Sequence, residues 1–498
     1  MSAERLTYRF GPLERRGLLG PFRLVQALLV ALGAVVAIAI LDLAPSVGGA
    51  VLATVVLGST AVLALAPVGS RTLQEWLPVA LAFSLRRLLG RTTFRSSMPT
   101  RGISLPTLGT GSARWGEHPS QPPSSIGALR IVESRYRERS IGVISERRGR
   151  RLTVVLVCRA LSFSLLDPEA QERRLARWGL VLSRAAGSSI RRLQWIERTI
   201  PAQGDELARW LHAERDPSVP LRGTPVIESY LELIGTSARV SQEHEILLAV
   251  QVDAGRLRDR AASQLEPAMI EATEQLAEGL ESAEVRVLGA LSPGQLGRAL
   301  RTAFDPYART ELAALQVADP SYPGVSEANA WPLGAHECWD HLRTDGAVHA
   351  SYWIAGWPRV EVTPAFMEAL LGRSSAVRTV SVTFEPLAPE RSIREAEAAV
   401  TRDRADRTLR HRFGQAETAR QRQAQESALR REAELAAGHT EVRLAGFVTV
   451  SGRDEGELRR ASAEVLEQAA RARLELHRMY GQQADAFTFT LPLCRGLK

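Results

Sequence analysis

Two uncharged apolar runs stand close together near the start of the chain: Leu24–Leu41, LVQALLVALGAVVAIAIL, and Val47–Val68, VGGAVLATVVLGSTAVLALAPV. At about 1.5 Å per residue they reach roughly 27 and 33 Å as helices, enough to cross a hydrocarbon core of about 30 Å. Between them lies only DLAPS, Asp42–Ser46, whose proline and serine suit a tight reversal. The pattern predicts a two-helix transmembrane hairpin. Small residues four apart, Gly33 with Ala37 and Gly49 with Ala53, would let the two helices approach closely.

After the second run comes RTLQEWLPVALAFSLRRLLGR, Arg71–Arg91. Its apolar part, Trp76–Leu85, is too short for a third crossing. It suits either a helix lying at the level of the lipid headgroups or an amphipathic helix packed on a soluble domain. From 96 to 127 the chain is rich in Pro, Ser and Gly and shows no apolar period, which reads as a linker.

Beyond the linker the pattern alternates between strand and helix periods. Arg139–Leu166 reads as two strands around the polar turn Glu146–Arg150. Asp167-Pro168-Glu169 supplies an N-cap, a first-position proline and an acid for a helix to about Ala186, and the strand IRRLQWIERTIP follows. A similar order recurs: the strand HEILLAVQVDA, a helix to about Ser282, the strand AEVRVLGAL, and a helix opened by Ser292-Pro293. Then come GAVHASYWIAGW, a short helix from Pro364, RTVSVTFEPL, and a long charged helical segment rich in Ala, Arg and Glu over 389–437. A strand, TEVRLAGFVTVSG, a helix over Arg453–Tyr480 and an alternating strand from Ala486 to Leu491 complete the reading.

The fold class expected is therefore α+β behind a membrane hairpin, with ferredoxin-like cytoplasmic modules and mainly antiparallel sheets. The organisation expected is a membrane hairpin with a juxtamembrane helix (1–95), a linker (96–127), α+β modules (128–330), and a further module (331–498) that carries the 389–437 insertion.

Charge gives the hairpin a direction. Residues 1–100 hold ten arginines against Glu4, Glu14, Asp42 and Glu75, so +6 of the overall +8 lies there and the remaining residues sum to +2. These arginines flank the hairpin on both outer sides, which by the positive-inside rule places both termini in the cytoplasm. The body is nearly neutral, so direct nucleic-acid binding is not expected. The only lysine is Lys498. A nucleotide-binding GxxxxGK[ST] loop is therefore absent, and the GTGSARWG stretch lacks both the preceding strand and the lysine.

Three cysteines, Cys158, Cys338 and Cys494, fit neither a disulfide framework nor a zinc finger. Reactive residue types are densest in HECWDH, His336–His341, where a membrane-tethered enzyme would place a metal. Ligands so close in sequence cannot all converge, and no second half of a site is evident. GxSxG and HExxH motifs are likewise absent. The expectation is a non-enzymatic protein with no catalytic residues, no metal ligands and no cofactor.

Several stretches carry a resemblance: TYRFGPLERRGLLGPFR before the hairpin, EWLPVALAFSLRRLLGR after it, FSLLDPEAQERRLARWG, LQWIERTIP, WPRVEV, ELAAGHTEVRLAGFVTV and AFTFTLPLCRGL. Together they resemble an actinobacterial family of membrane proteins associated with type IV secretion and conjugation. In that family the hairpin is similar to the PrgI-like inner-membrane subunit, and the body looks like the N-terminal, non-motor part of the conjugation ATPase. The resemblance implies an inner-membrane scaffold that works as an oligomer with other secretion subunits and docks a P-loop ATPase supplied by a separate chain. It further implies that Ala486–Leu491 is an exit strand toward a motor domain this chain lacks. A type VII secretion membrane component, which shares the two-span layout, is the alternative.

Overall fold

The computed structural model describes residues 24–68, 71–96, 122–160, 166–201, 225–229, 242–257, 262–309, 312, 324–358, 362–372, 374–388, scattered positions within 390–401, 433, 435 and 440–497. Two compact units are distinguished, one of residues 12–92 with 480–482, the other built on 93–479 and 483–498.

The smaller unit is helical. Helix α1 (Leu24–Leu43) and helix α2 (Val47–Leu65) are joined by a turn whose Ser46 side chain accepts the Gly49 N–H at 3.1 Å and so caps α2. A two-residue ladder, β1 (Pro67–Val68) with β2 (Arg71–Thr72), leads into α3 (Leu73–Leu88). Within α2, an 18-residue window from Val47 to Ala64, of mean hydropathy 2.0, is long and apolar enough to cross a membrane. In α1 the apolar stretch Leu29–Leu43 is shorter than that. The structure therefore supports one crossing helix by length and composition, where the sequence pattern predicts two.

The larger unit is α+β, built on a 13-stranded sheet whose pairings are antiparallel. In chain order its elements are β3 (Thr93–Arg95), β4 (Leu129–Tyr136), β5 (Arg139–Glu146), β6 (Arg151–Ala160), α4 (Pro168–Ala186), β7 (Ile190–Pro201), β8 (Gln242–Asp253), α5 (Leu265–Ser282), β9 (Val285–Ala290) and α6 (Pro293–Phe304). There follow β10 (Gly334–Glu337), β11 (Leu342–Arg343), β12 (Val348–Gly356), α7 (Glu368–Leu371), β13 (Val377–Pro386), β14 (Val442–Gly452), α8 (Glu455–Arg471), β15 (Glu475–Arg478) and α9 (Gln483–Thr488).

The sheet is internally duplicated. Strands β6, β7, β8 and β9 lie in the order β9-β6-β8-β7, and β12, β13, β14 and β15 in the order β15-β12-β14-β13. Each half is thus a βαββαβ unit of order 4-1-3-2. In each, the first strand shares one edge between two neighbours: β5 then β9 along β6, β11 then β15 along β12. The second helix, fourth strand and trailing helix begin at Leu265, Val285 and Pro293 in one half and at Glu455, Glu475 and Gln483 in the other, with identical intervals. The halves join where β7 pairs with β13, from Leu193–Phe384 to Thr199–Arg378.

Local chemistry explains these elements. Asp167 accepts the Ala170 N–H at 2.7 Å and starts α4 at Pro168, as its sequence predicts. Ser292 and Gln295 form a capping box at the start of α6. Helices α4 and α5 cover one face of the first half, around Val181, Met269 and Leu276, and α8 covers the same face of the second, around Leu458 and Val465. The opposite face carries a single core shared by both halves, into which α6, α9 and residues 491–494 pack.

Two elements differ from the expectation. The helix read over Arg453–Tyr480 ends at Arg471, because Arg473 takes a positive φ of 57° and Leu474 turns into the core. Residues 475–478 then pair with β12 as β15. The alternating strand read over Ala486–Leu491 is instead α9 followed by tight turns. Phe489 and Thr490 donate their N–H groups back to Ala486 and Phe487, while Phe487, Leu491 and Leu493 are buried. Phe/Thr alternation fits a strand only if a partner edge is free, and here these residues lie across an already completed sheet. Most of the 389–437 stretch falls outside the described residues.

Candidate functional site

The helical unit has the inverse of a soluble helix pair's surface. The residues buried at the α1/α2 seam include Gly33, Ala37, Gly49 and Ala53, the small residues singled out by spacing. A Cβ at Gly33 would collide with the Thr60 hydroxyl, so the backbones approach as closely as glycine permits. Large apolar side chains point outward instead: Leu32, Val35 and Ile38 on α1, and Val51, Val55 and Val62 on α2, are each more than half exposed. Polar groups on α2 are satisfied internally. Thr54 donates to Ala50 O, Ser59 to Val56 O and Thr60 to Val56 O. Such a surface is costly in water and favourable in hydrocarbon, where each backbone and hydroxyl group must find an internal partner.

The reactive residues of the sheet are drawn into structural bonds. In the HECWDH segment, His336 lies on β10 with its Nδ1 3.0 Å from the Thr93 hydroxyl. Glu337 is buried and accepts the Ala484 N–H at 3.0 Å. After the turn, His341 Nδ1 lies 2.9 Å from Asp340, whose other oxygen meets Arg478 at 3.4 Å. Neighbouring residues thus engage β3, α9 and β15 separately. Among the described residues, no group of three or more His, Cys, Asp or Glu is placed to hold a metal ion.

His349 on β12 is wholly buried against Phe487, with ring centroids 4.8 Å apart. Its Nε2 lies 2.9 Å from Phe304 O and its Nδ1 2.8 Å from the Ser451 hydroxyl, a pattern that suits one ring N–H and one ring acceptor. Burial pushes its pKa down to about 4. Burial likewise pushes the Cys158 thiol up to about 12 and raises that of Cys494 further. These groups are held neutral and away from solvent, the reverse of an activated nucleophile or base.

The centre of the sheet carries a polar layer that sequence reading does not find. Gln194 on β7 donates to Ser381 and Phe489 O and accepts the Cys494 N–H. Thr383 donates to Arg495 O, and Arg495 binds Ser125 O and Glu146. Residues 489–497 therefore form a strap sewn to both halves. A small cavity beside Arg198 has a volume of about 10 Å³, room for about one water molecule. An open depression of about 510 Å³ lies between the β11–β12 turn and the start of α8. Its Arg343 is engaged by Glu455 at 2.7 Å.

Among the described residues, the apolar surfaces of the helical unit are a feature with an outward-facing chemistry. A family model described as "Putative type VII ESX secretion system translocon, EccE" matches residues 240–354, which run from β8 into β12. No curated protein matches the chain. The match corrects the resemblance drawn from sequence: it points to type VII secretion and not to the type IV, conjugation-associated, PrgI-like family.

Proposed function

We propose that this protein is a membrane-anchored structural subunit of a type VII secretion translocon. The observation that carries the reading is the family match across β8 to β12. The lipid-compatible outer faces of α1 and α2 support it independently. On this reading both helices cross the plasma membrane, α1 using residues on either side of its apolar core, and both termini are cytoplasmic as the flanking arginines require. The division into a membrane unit (1–95), a linker (96–127) and two α+β modules (128–330 and 331–498) follows, with 389–437 inserted between β13 and β14. The two βαββαβ halves are read as ferredoxin-like modules.

The body serves as a non-enzymatic platform. It binds other membrane subunits and a secretion ATPase carried by another chain, and the complex is an oligomer. Co-purification of the detergent-solubilised, tagged protein from its native host tests this. Recovery of an ESX-type P-loop ATPase and further membrane subunits is expected. A protein recovered alone after cross-linking in intact membranes would overturn the reading.

A further inference from the structure

Helix α3 begins at the level where α2 ends. The Leu73 N–H donates to the carbonyl of Ala66, the residue that caps α2, at 3.0 Å. The β1–β2 ladder brings the chain back to that point, and Glu75 fixes the start of the helix by accepting the Thr72 N–H at 3.2 Å. A helix clamped to the end of a membrane span starts at the membrane surface, whatever follows it.

The faces of α3 differ. Phe83 is buried, whereas Leu77, Leu81, Leu85 and Leu88 are exposed, Leu81 at 61% and Leu88 at 84%. At about 100° per residue these four leucines fall within an arc of about 80°, so they form one stripe along a helix roughly 24 Å long. Arg87 lies in the last turn and Arg91 follows, while Arg86, in the same turn, donates to the Gly481 carbonyl. An uncovered leucine stripe that starts at the end of a span and finishes among arginines matches an anionic bilayer surface in both its chemistries.

We propose that α3 lies in the interface of the leaflet from which α2 emerges, with the four leucines among the acyl chains and Arg87 and Arg91 on anionic lipid phosphates. The proposal rests on the membrane-spanning reading of α2. It makes the hairpin a three-helix anchor whose third helix senses surface charge and fixes the orientation of the chain leaving the membrane.

Spin-label accessibility in the full-length protein tests it. With Cys338 changed to serine, single cysteines at Val55, Leu81, Leu85 and Ala82 are labelled, and the protein is reconstituted in phosphatidylcholine vesicles with and without phosphatidylglycerol. Labels at Leu81 and Leu85 should collide readily with oxygen and poorly with a water-soluble nickel chelate. Ala82, at the margin of the stripe, should be more open to the chelate, and Val55 should lie deepest. Removing phosphatidylglycerol should raise chelate access at Leu85 at least twofold. If Val55 is protected while Leu81 and Leu85 are open to the chelate, or shielded from both reagents, the proposal fails and the span stands. If Val55 is itself open to the chelate, α2 does not span and both readings fall. Unchanged access at Leu85 without phosphatidylglycerol overturns the assignment of the arginines to lipid phosphates.

Discussion

Arg192 and Glu385 face each other across the junction of the two halves, one step beyond the Leu193–Phe384 pair, with Nε donating to Oε2 at 2.8 Å. Both side chains are almost wholly buried, and Arg192 also donates to Cys494 O and Leu497 O. One guanidinium therefore ties β7, β13 and the strap together. Removing one partner of a buried pair leaves the other charge uncompensated. Glu385→Ala should cost roughly 3–5 kcal/mol, read as a lower denaturation midpoint of the detergent-solubilised protein, and Glu385→Gln should cost less.

The strap itself should behave as core. Leu491 and Leu493 are fully buried, so each change to alanine should cost roughly 2–5 kcal/mol. An exposed exit strand at the same place would tolerate both changes, and urea unfolding distinguishes the two.

The α1/α2 seam depends on glycine. Gly33→Leu has no room against Thr60 and should destabilise the hairpin by about 1–3 kcal/mol. Leu32→Phe, on the exposed side, should leave the thermal midpoint within error.

His349 should make stability fall with acid. The folded state holds it neutral down to about pH 4, while the unfolded chain takes up a proton near pH 6.5. Stability from this group is therefore complete above about pH 6.5 and is lost as pH falls toward 4, by up to about 3 kcal/mol. Thermal unfolding between pH 7.5 and 4.5 should show this slope, and His349→Phe should flatten it.

The three thiols should separate by reactivity. Cys158 and Cys494 are buried with raised pKa values, whereas Cys338 is half-buried. Maleimide labelling of the native protein, mapped by mass spectrometry, should modify Cys338 well before the other two, which should react only on unfolding.

Much of the fold is legible in the sequence because its signals are local. Asp167-Pro168 and Ser292-Pro293 mark helix starts by chemistry within four residues, and both are used as predicted. The apolar character of α2 and the small residues of the seam are equally local. What fails is local pattern without knowledge of neighbours. Glu475–Arg478 continues a helical composition but becomes a strand because β12 offers an open edge. Ala486–Leu491 alternates like a strand but finds the sheet already filled.

The candidate site divides in the same way. Composition fixes that an apolar hairpin and an arginine-bordered helix exist. That α3 is tied to the end of α2 through Leu73 and Ala66, with its leucines uncovered, is decided by a hydrogen bond between residues the pattern cannot pair. Likewise Gln194, Ser381 and Thr383 look like ordinary strand residues until the chain brings residues 489–495 across them. The sequence by itself determined helix starts such as Pro168 and Pro293 and the apolar character of α2, because those depend on neighbours along the chain. The tertiary structure alone decided the duplication, the central junction and the strap, because they depend on pairings between residues hundreds of positions apart, which no local period encodes.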